Sequence, residues 1–264
     1  MKLDPSYEQS ALEDEFDLLA ANKFHKNGFV VVRSVLDSNF LHSLVLDVDH
    51  RIKSDSFLNQ KRDIHFMKSG ELSSAHNLLE YVPQYKKLQY HPCLRKIAEK
   101  IYGGLRDLEF NSSYFAKPAK IGLATKAHQD NAFFCMQPPE IATFWLPIDV
   151  ANKANGALYY FPKSDSLGNL QHYPQGNLGA SMCIDNDTLS LVEDRFEKIY
   201  IDLNPGDVVI HNALIVHGSD ANESDKSRRA FNFSVAGMRA IRDSQLYSIY
   251  QQKLKIFLDE KKKQ

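Results

Sequence analysis

The chain has 264 residues, 43% of them hydrophobic and 11% aromatic, enough to bury one large core or two small ones. Its 32 basic and 33 acidic side chains leave a net charge of −1 with a pI near 6.8, which excludes a global field recruiting nucleic acid or an anionic membrane. Cys93, Cys135 and Cys183 are odd in number and widely spaced, so neither a disulfide framework nor a zinc ribbon is expected, and a reducing, cytoplasmic setting is.

In chain order, the acidic start "MKLDPSYEQSALEDEFDLLAA" lacks the apolar run of a signal peptide. The stretch "SALEDEFDLLAANKFHKNG" has helical spacing, with Leu12, Phe16, Leu19 and Ala20 on one face and Gly28 placed to stop it. "FVVVRSV" reads as a strand. "DSNFLHSLVLDVDHRIKS" reads as a helix capped by Asp37 or Ser38, with Leu41, Leu44, Val45 and Val48 inward. Residues 55–80 read as polar and irregular, with His65 and His76 among them. "HPCLRKIAEKIYGG" predicts a helix ended by Gly103 and Gly104.

From about residue 108 the texture changes to short strands divided by turn chemistry: "LEFNSSYFAKP", "TKAHQDNAFF", "IATFWLPIDV", "GALYYFP", "KIYIDL", "DVVIHNALIVHGS" and "RRAFNFSVAG". Asn155-Gly156 signals a hairpin, and Asn204-Pro205-Gly206-Asp207 a turn before a strand. Such a series predicts a sandwich, jelly roll or barrel rather than a parallel sheet. Residues 164–198 form the longest irregular insertion, a candidate closing lid or open peptide platform. "SQLYSIYQQKLKIFLDEKKK" returns to helix, with Leu246, Ile249, Tyr250, Leu254 and Leu258 on one face. No stretch approaches 18 apolar residues, so no membrane span is expected. The expected organisation is a single domain over 1–264, mainly helical to 107, β from 108 to 240, and a terminal helix from 241.

His128 and Asp130 stand two apart, and on a strand they would share a face. Period-two spacing likewise places His211, Ala213, Ile215, His217 and Ser219 together. In the last strand, Arg228, Ala230, Asn232 and Ser234 form a small polar face, and Arg229, Phe231, Phe233 and Val235 a bulky one. An arginine lining a cavity wants an anion, and its planar fork suits a carboxylate. Two imidazoles and one carboxylate on neighbouring strands describe the facial triad of non-haem Fe(II) oxygenases, which leaves three coordination sites open.

The motifs "HQD", "FWLPIDV", "NGALYYFPKSD", "NPGD" and "HGSDANESDKSRRA", with "NGFVVVRSVLDSNFLHSL" near the start, resemble the phytanoyl-CoA dioxygenase family of Fe(II)/2-oxoglutarate oxygenases from about residue 24 to 240. The resemblance implies a double-stranded β-helix, a jelly-roll (cupin-like) core with flanking helices. It implies iron held by His128, Asp130 and His217, with 2-oxoglutarate and O₂ as co-substrates. Arg228 would pair with the distal carboxylate of 2-oxoglutarate, with Ser219 hydrogen-bonding nearby, Trp145 beside the co-substrate and Lys68 matching an upstream lysine that reaches it. His211 is then a strand histidine near the site rather than the ligand.

The reaction so implied hydroxylates an unactivated C–H bond of a small organic molecule, releasing succinate and CO₂. Asp130 fills the position that related halogenases open for chloride. Desaturation, epoxidation or cyclisation by the same iron chemistry, hydroxylation of a peptide or protein, and a non-catalytic metal-binding jelly roll are the competing readings. For the substrate, "QYKKLQYHPCLRKIAEK" offers a basic run for acyl-CoA phosphates, and Tyr114, Phe133 and Phe134 flank the motif as candidate pocket aromatics. The chain departs from the family at Pro162-Lys163-Ser164-Asp165, where Pro-Gly-Ser-His is common, on the substrate side of the site.

Overall fold

The computed structural model describes residues 5–52, 63–106, 111–174 and 182–261. Helix α1 (Pro5–Asn27) ends at Gly28, whose φ of +83° is the left-handed conformation glycine adopts without penalty. Its inward face is Asp17, Ala20, Ala21 and Phe24, while Phe16 and Leu19 are exposed. Of the expected stripe Ala20 is inward, Phe16 and Leu19 are not, and the Leu12 side chain lies outside the described residues. After β1 (Phe29–Val32), Asp37 caps α2 (Ser38–Ile52) by accepting from the Asn39 and Phe40 amides, and Leu41, Leu44, Val48 and Ile52 point inward.

The stretch read as irregular contains a hairpin, β2 (Ile64–Phe66) with β3 (Leu72–Ala75), and the short helices α3 (Leu78–Tyr81) and α4 (Tyr85–Gln89). Elements of three to five residues carry too little periodicity to be read from the sequence. Helix α5 (Pro92–Tyr102) starts on proline and stops at Gly103, φ +69°.

The β region runs β4 (Leu105–Arg106), β5 (Ser112–Lys117) and β6 (Thr125–His128), then the single helical turn α6 (Asn131–Phe134). Next come β7 (Met136–Gln137), β8 (Ile141–Pro147), β9 (Leu158–Tyr160), β10 (Tyr173–Pro174) and β11 (Met182–Cys183). Helix α7 (Asn186–Glu193) precedes β12 (Ile199–Tyr200), β13 (Val208–Asn212), β14 (His217–Ser219), β15 (Arg228–Gly237) and β16 (Ile241–Arg242). Helix α8 (Ser244–Lys261) closes the described chain.

Two main antiparallel sheets result among the described residues, the jelly-roll arrangement expected, without a closed barrel, flanked by the two-stranded pairs β10-β11 and β7-β16. The large one runs β1-β13-β8-β15-β5-β3-β2, with β4 also on β15, and the small one runs β12-β9-β14-β6. Two expectations fail here. Asn155-Gly156 is not a hairpin, because β8 and β9 lie in different sheets and the turn crosses between them. Nor does one strand join His211 to His217: β13 and β14 also belong to different sheets, and the chain turns at 213–216.

One face of the large sheet packs Phe144, Leu146, Ile210, Phe231, Phe233 and Val235 against α1, α2 and α5. Its other face meets the small sheet through Phe29, Trp145, Leu158, Tyr160, Val209, Ile215 and Ala230. Burying each such Val, Leu, Ile or Phe side chain contributes about 1.5–3 kcal/mol. Tyr114 belongs to the helix-side core and so lines no pocket beside the motif. The basic run is carried by α4 and α5, whose apolar residues pack on that same helix side, across the large sheet from the His and Asp side chains.

In its described parts the insertion is packed against the protein. Residues 167–170 and 184–196 supply Leu167, Leu170, Ile184, Leu189, Val192 and Phe196 to a third cluster on the outer face of the small sheet, with Ala127, Tyr159 and Phe161. Helix α8 turns Tyr247, Tyr250, Leu254 and Phe257 towards the protein and leaves Leu246 and Ile249 exposed; the Leu258 side chain lies outside the described residues. No helix among the described residues is long and apolar enough to cross a membrane.

Candidate active site

His128 ends β6 and pairs in register with His217 on β14, which brings the two rings to 4.4 Å between centroids. Asp130 reaches them differently from the strand expectation. The chain leaves β6 at His128 and Asp130 is already helical (φ −61°, ψ −30°), so a turn, and not strand alternation, swings the carboxylate back. Asp130 Oδ1 lies 3.7 Å from His128 Nε2 and 3.6 Å from His217 Nε2. The three donor atoms fall within 4.8 Å of one another, a set able to hold a metal ion.

Both imidazoles are oriented from behind. His128 Nδ1 donates to the Lys126 carbonyl at 2.8 Å and His217 Nδ1 to the Ile215 carbonyl at 3.0 Å, which fixes the tautomer and leaves each Nε2 lone pair facing the centre. Burial holds both histidines below their ordinary pKa, so they present neutral, metal-binding imidazole. Burial pushes Asp130 up, but the His211 hydrogen bond and the three neighbouring imidazoles outweigh it and hold the carboxyl well below the usual range.

The second oxygen of Asp130 is occupied by the protein. Oδ2 accepts from Thr143 Oγ1 at 2.7 Å and from His211 Nε2 at 3.1 Å. His211 in turn takes the Tyr160 hydroxyl on Nδ1 at 2.9 Å, and the Tyr160 ring stacks on Phe29 at 4.7 Å. Thr143 is backed by Ser234, and Ser234 by Asn111. With Oδ2 so engaged, Oδ1 alone is free to bind a metal. Sequence reading placed His211 near the site but missed Thr143, which sits two residues before Trp145 on the same inward face.

Gln129 is buried and clamps this loop. Its side chain donates to the Gly168 and Leu214 carbonyls and accepts from the Leu170 amide, while its own N–H donates to His172 Nε2 at 2.9 Å. Asn131 adds a hydrogen bond to Asn169. The start of the long insertion is therefore the brace of the metal loop, a role that no motif announced.

Arg228 is 2% exposed, donates to the Gly156 carbonyl, and lies 5.3 Å from the centroid of the Trp145 ring. No carboxylate pairs with it among the described residues, and its buried Nε has no partner. Burial lowers its pKa to about 10, so it remains a guanidinium. A buried cation with an orphan donor calls for an anion from outside the chain. Ser219 is buried on β14, and Trp145 faces the space between the sheets. Lys68 is exposed in the β2–β3 turn, and no hydrogen bond or ion pair ties it to the triad. Phe133 stands edge-on to His128 and to Tyr250 of α8.

The family model for phytanoyl-CoA dioxygenase (PhyH) matches residues 24–230. The chain belongs to the phytanoyl-CoA dioxygenase family. It is therefore a 2-oxoglutarate-dependent non-haem iron dioxygenase by class. Relatives include the phytanoyl-CoA dioxygenase domain-containing protein 1 homolog of Caenorhabditis briggsae, 25% identical with 80% of this chain and 88% of the relative covered. The peroxisomal phytanoyl-CoA dioxygenase of Homo sapiens is 22% identical, with 86% and 71% covered. Among solved structures, EctD from S. alaskensis superposes with a TM-score of 0.70 at 16% identity over 82% of this chain and 74% of that one. The carbocyclase SnoK from nogalamycin biosynthesis gives 0.68 at 20% identity over 85% of each. These likenesses are of fold.

Proposed function

We propose that this family member binds Fe(II) through His128 Nε2, Asp130 Oδ1 and His217 Nε2 and 2-oxoglutarate through Arg228, with Ser219 and Trp145 beside it, to hydroxylate a small, hydrogen-bonding organic molecule. The observation that carries this reading is the division of labour on Asp130: one oxygen faces the two histidines, the other is held by Thr143 and His211. The Arg228 guanidinium, with its Nε left without a partner, fits the distal carboxylate of a 2-oxo acid. Bound iron supplies the activation of O₂ coupled to oxidative decarboxylation of 2-oxoglutarate. The chain's own part is to keep both imidazoles neutral, hold the carboxylate monodentate, fix the co-substrate by its far end, and keep water out with Phe29, Tyr160 and Trp145.

The substrate class is supported by the wall beside Asp130. Ser74, Ser113, Asn232 and Ser234 on the inward face of β3, β5 and β15 are buried although polar. His76 joins them, bonded to Ser74 and Ser113 through its two ring nitrogens, and Asn232 Oδ1 is without a partner. An acyl chain would face an unfavourable polar wall there. The basic run on α5, across the sheet, offers acyl-CoA phosphates nothing at this site. A single domain is supported by the large sheet, which contributes to the cores on both of its faces. A reducing, cytoplasmic setting is supported by three free cysteines.

The test is anaerobic titration of the metal-free protein with Fe(II) and 2-oxoglutarate, following the weak visible charge-transfer band of a chelated iron–2-oxo acid complex. The band is expected in the wild type and absent from His217→Ala and Asp130→Ala. Iron binding without a band removes 2-oxoglutarate from this reading. With the band present, accelerated succinate release identifies substrates among small polar compounds.

A further inference from the structure

Lys117 and Arg228 are register partners on β5 and β15. Their side chains are 6% and 2% exposed, and both converge on Gly156. Arg228 donates to the Gly156 carbonyl, and a Cβ on Gly156 would stand 2.9 Å from Lys117 Cδ. Two buried cations face each other here without an intervening carboxylate, which is costly unless one loses its charge or an anion arrives.

The hydrogen bonds around Lys117 fit the first alternative in the resting protein. Nζ donates to two carbonyl oxygens, Ser219 and Asp220. A neutral amine has two N–H groups and satisfies both acceptors, whereas an ammonium has a third that finds no partner. The charged and titratable groups around it are few. Arg228 faces it from β15. The Asp220 carboxylate lies beyond β14 and is engaged by the Tyr200 hydroxyl of β12. Asp149 acts on Arg228. Burial, then Arg228, lower the Lys117 pKa to about 6 against the opposing pull of Asp220.

We propose, on the reading that Arg228 receives the distal carboxylate of 2-oxoglutarate, that Lys117 is a neutral amine in the resting enzyme and takes one proton from solvent as the co-substrate binds. The incoming carboxylate offsets the Arg228 charge and gives the ammonium its counter-ion. The balance is one amine plus one proton to one ammonium, with no bond to the co-substrate. Lys117 is then a positioning residue: it holds the strand carrying Ser219 through two carbonyls and couples co-substrate affinity to pH.

The experiment is calorimetric titration of Mn(II)-loaded protein with 2-oxoglutarate at pH 8, in HEPES and in Tris, whose ionisation enthalpies differ. The wild type is expected to take up about one proton per 2-oxoglutarate, with Kd rising up to about tenfold per pH unit above pH 6. Lys117→Arg, permanently charged, and Lys117→Met, never charged, are expected to bind with no proton uptake. Binding in the wild type with equal heats in the two buffers overturns the proposal, as does uptake that persists in Lys117→Arg. Absence of 2-oxoglutarate binding in the wild type instead overturns the co-substrate site itself. Lys117→Arg keeps the donors to both carbonyls, so it decides the matter should Lys117→Met fail to fold.

Discussion

The amide of Gln129 donates to His172 Nε2, while His172 Nδ1 donates to the Leu170 carbonyl. This arrangement tolerates only the neutral ring, because a proton on Nε2 would face a donor. Burial, together with nearby His128 and Lys253, lowers the His172 pKa from its ordinary 6.5 to about 4. A histidine whose pKa is depressed on folding contributes its full stability above the unfolded value and loses it as pH falls from 6.5 towards 4. The linkage amounts to about 3 kcal/mol for this site once the pH has fallen through the folded value. Urea unfolding of the metal-free protein at steps between pH 7.5 and 4.5 is expected to show this loss. His172→Gln, which keeps an acceptor but cannot titrate, is expected to show a shallower slope. His76, also lowered to about 4 by burial, keeps part of the slope in the variant. Equal slopes in the two proteins would remove His172 from the account.

At the scale of elements, the metal site depends on how closely β14 approaches β6. Gly218 sits between His217 and Ser219, and a Cβ there would lie 2.7 Å from the Thr125 carbonyl oxygen and closer still to the Tyr159 hydroxyl. Backbone cannot yield as a flexible side chain can, so Gly218→Ala is expected to part the strands and carry His217 away from His128. Metal affinity should fall about 10–100-fold, as when the support of a ligand is removed, while Gly70→Ala, in an open turn, leaves it unchanged. Unaltered Mn(II) affinity in Gly218→Ala would show that the strand spacing is not what sets the site. The same region shows why strands were legible and their partners were not. β-Branched runs and alternation mark β8, β13 and β15 locally. Which sheet a strand joins depends on the turns at 153–156, where Asn155-Gly156 resembles a hairpin, and at 213–216, where Ala-Leu-Ile-Val reads as uninterrupted strand. Period-two reasoning therefore grouped His211 with His217 correctly for the wrong reason: the rings meet at 4.5 Å across two sheets, and not along one strand.

For the molecule as a whole, the family motifs made the triad and Arg228 visible in the sequence because their spacing is distinctive. Lys117, Thr143 and the Gln129 clamp were hidden because nothing local distinguishes them from ordinary strand and loop residues; only the fold brings them to the site. That fold distributes the site over both sheets. His128 and His217 belong to the small sheet, and Asp130 follows directly from it. Arg228, Trp145, Thr143 and His211 belong to the large one. A metal with a chelated 2-oxo acid anchored on Arg228 would therefore tie the two sheets together, and its binding energy should appear as global stability. A ligand held at 100 times its Kd adds about 2.7 kcal/mol, which for a chain of 264 residues corresponds to roughly 5 °C in Tm. Mn(II) alone and then Mn(II) with 2-oxoglutarate are expected to give two successive upward steps in a thermal scan. Arg228→Ala should keep the first and lose the second, since the triad is untouched and the distal carboxylate has lost its partner. Asp130→Ala should lose both, because 2-oxoglutarate without the metal has only one end held. Two full steps in Arg228→Ala would mean that the co-substrate is anchored elsewhere, and with that result the pairing of Arg228 with Lys117 would need a different anion.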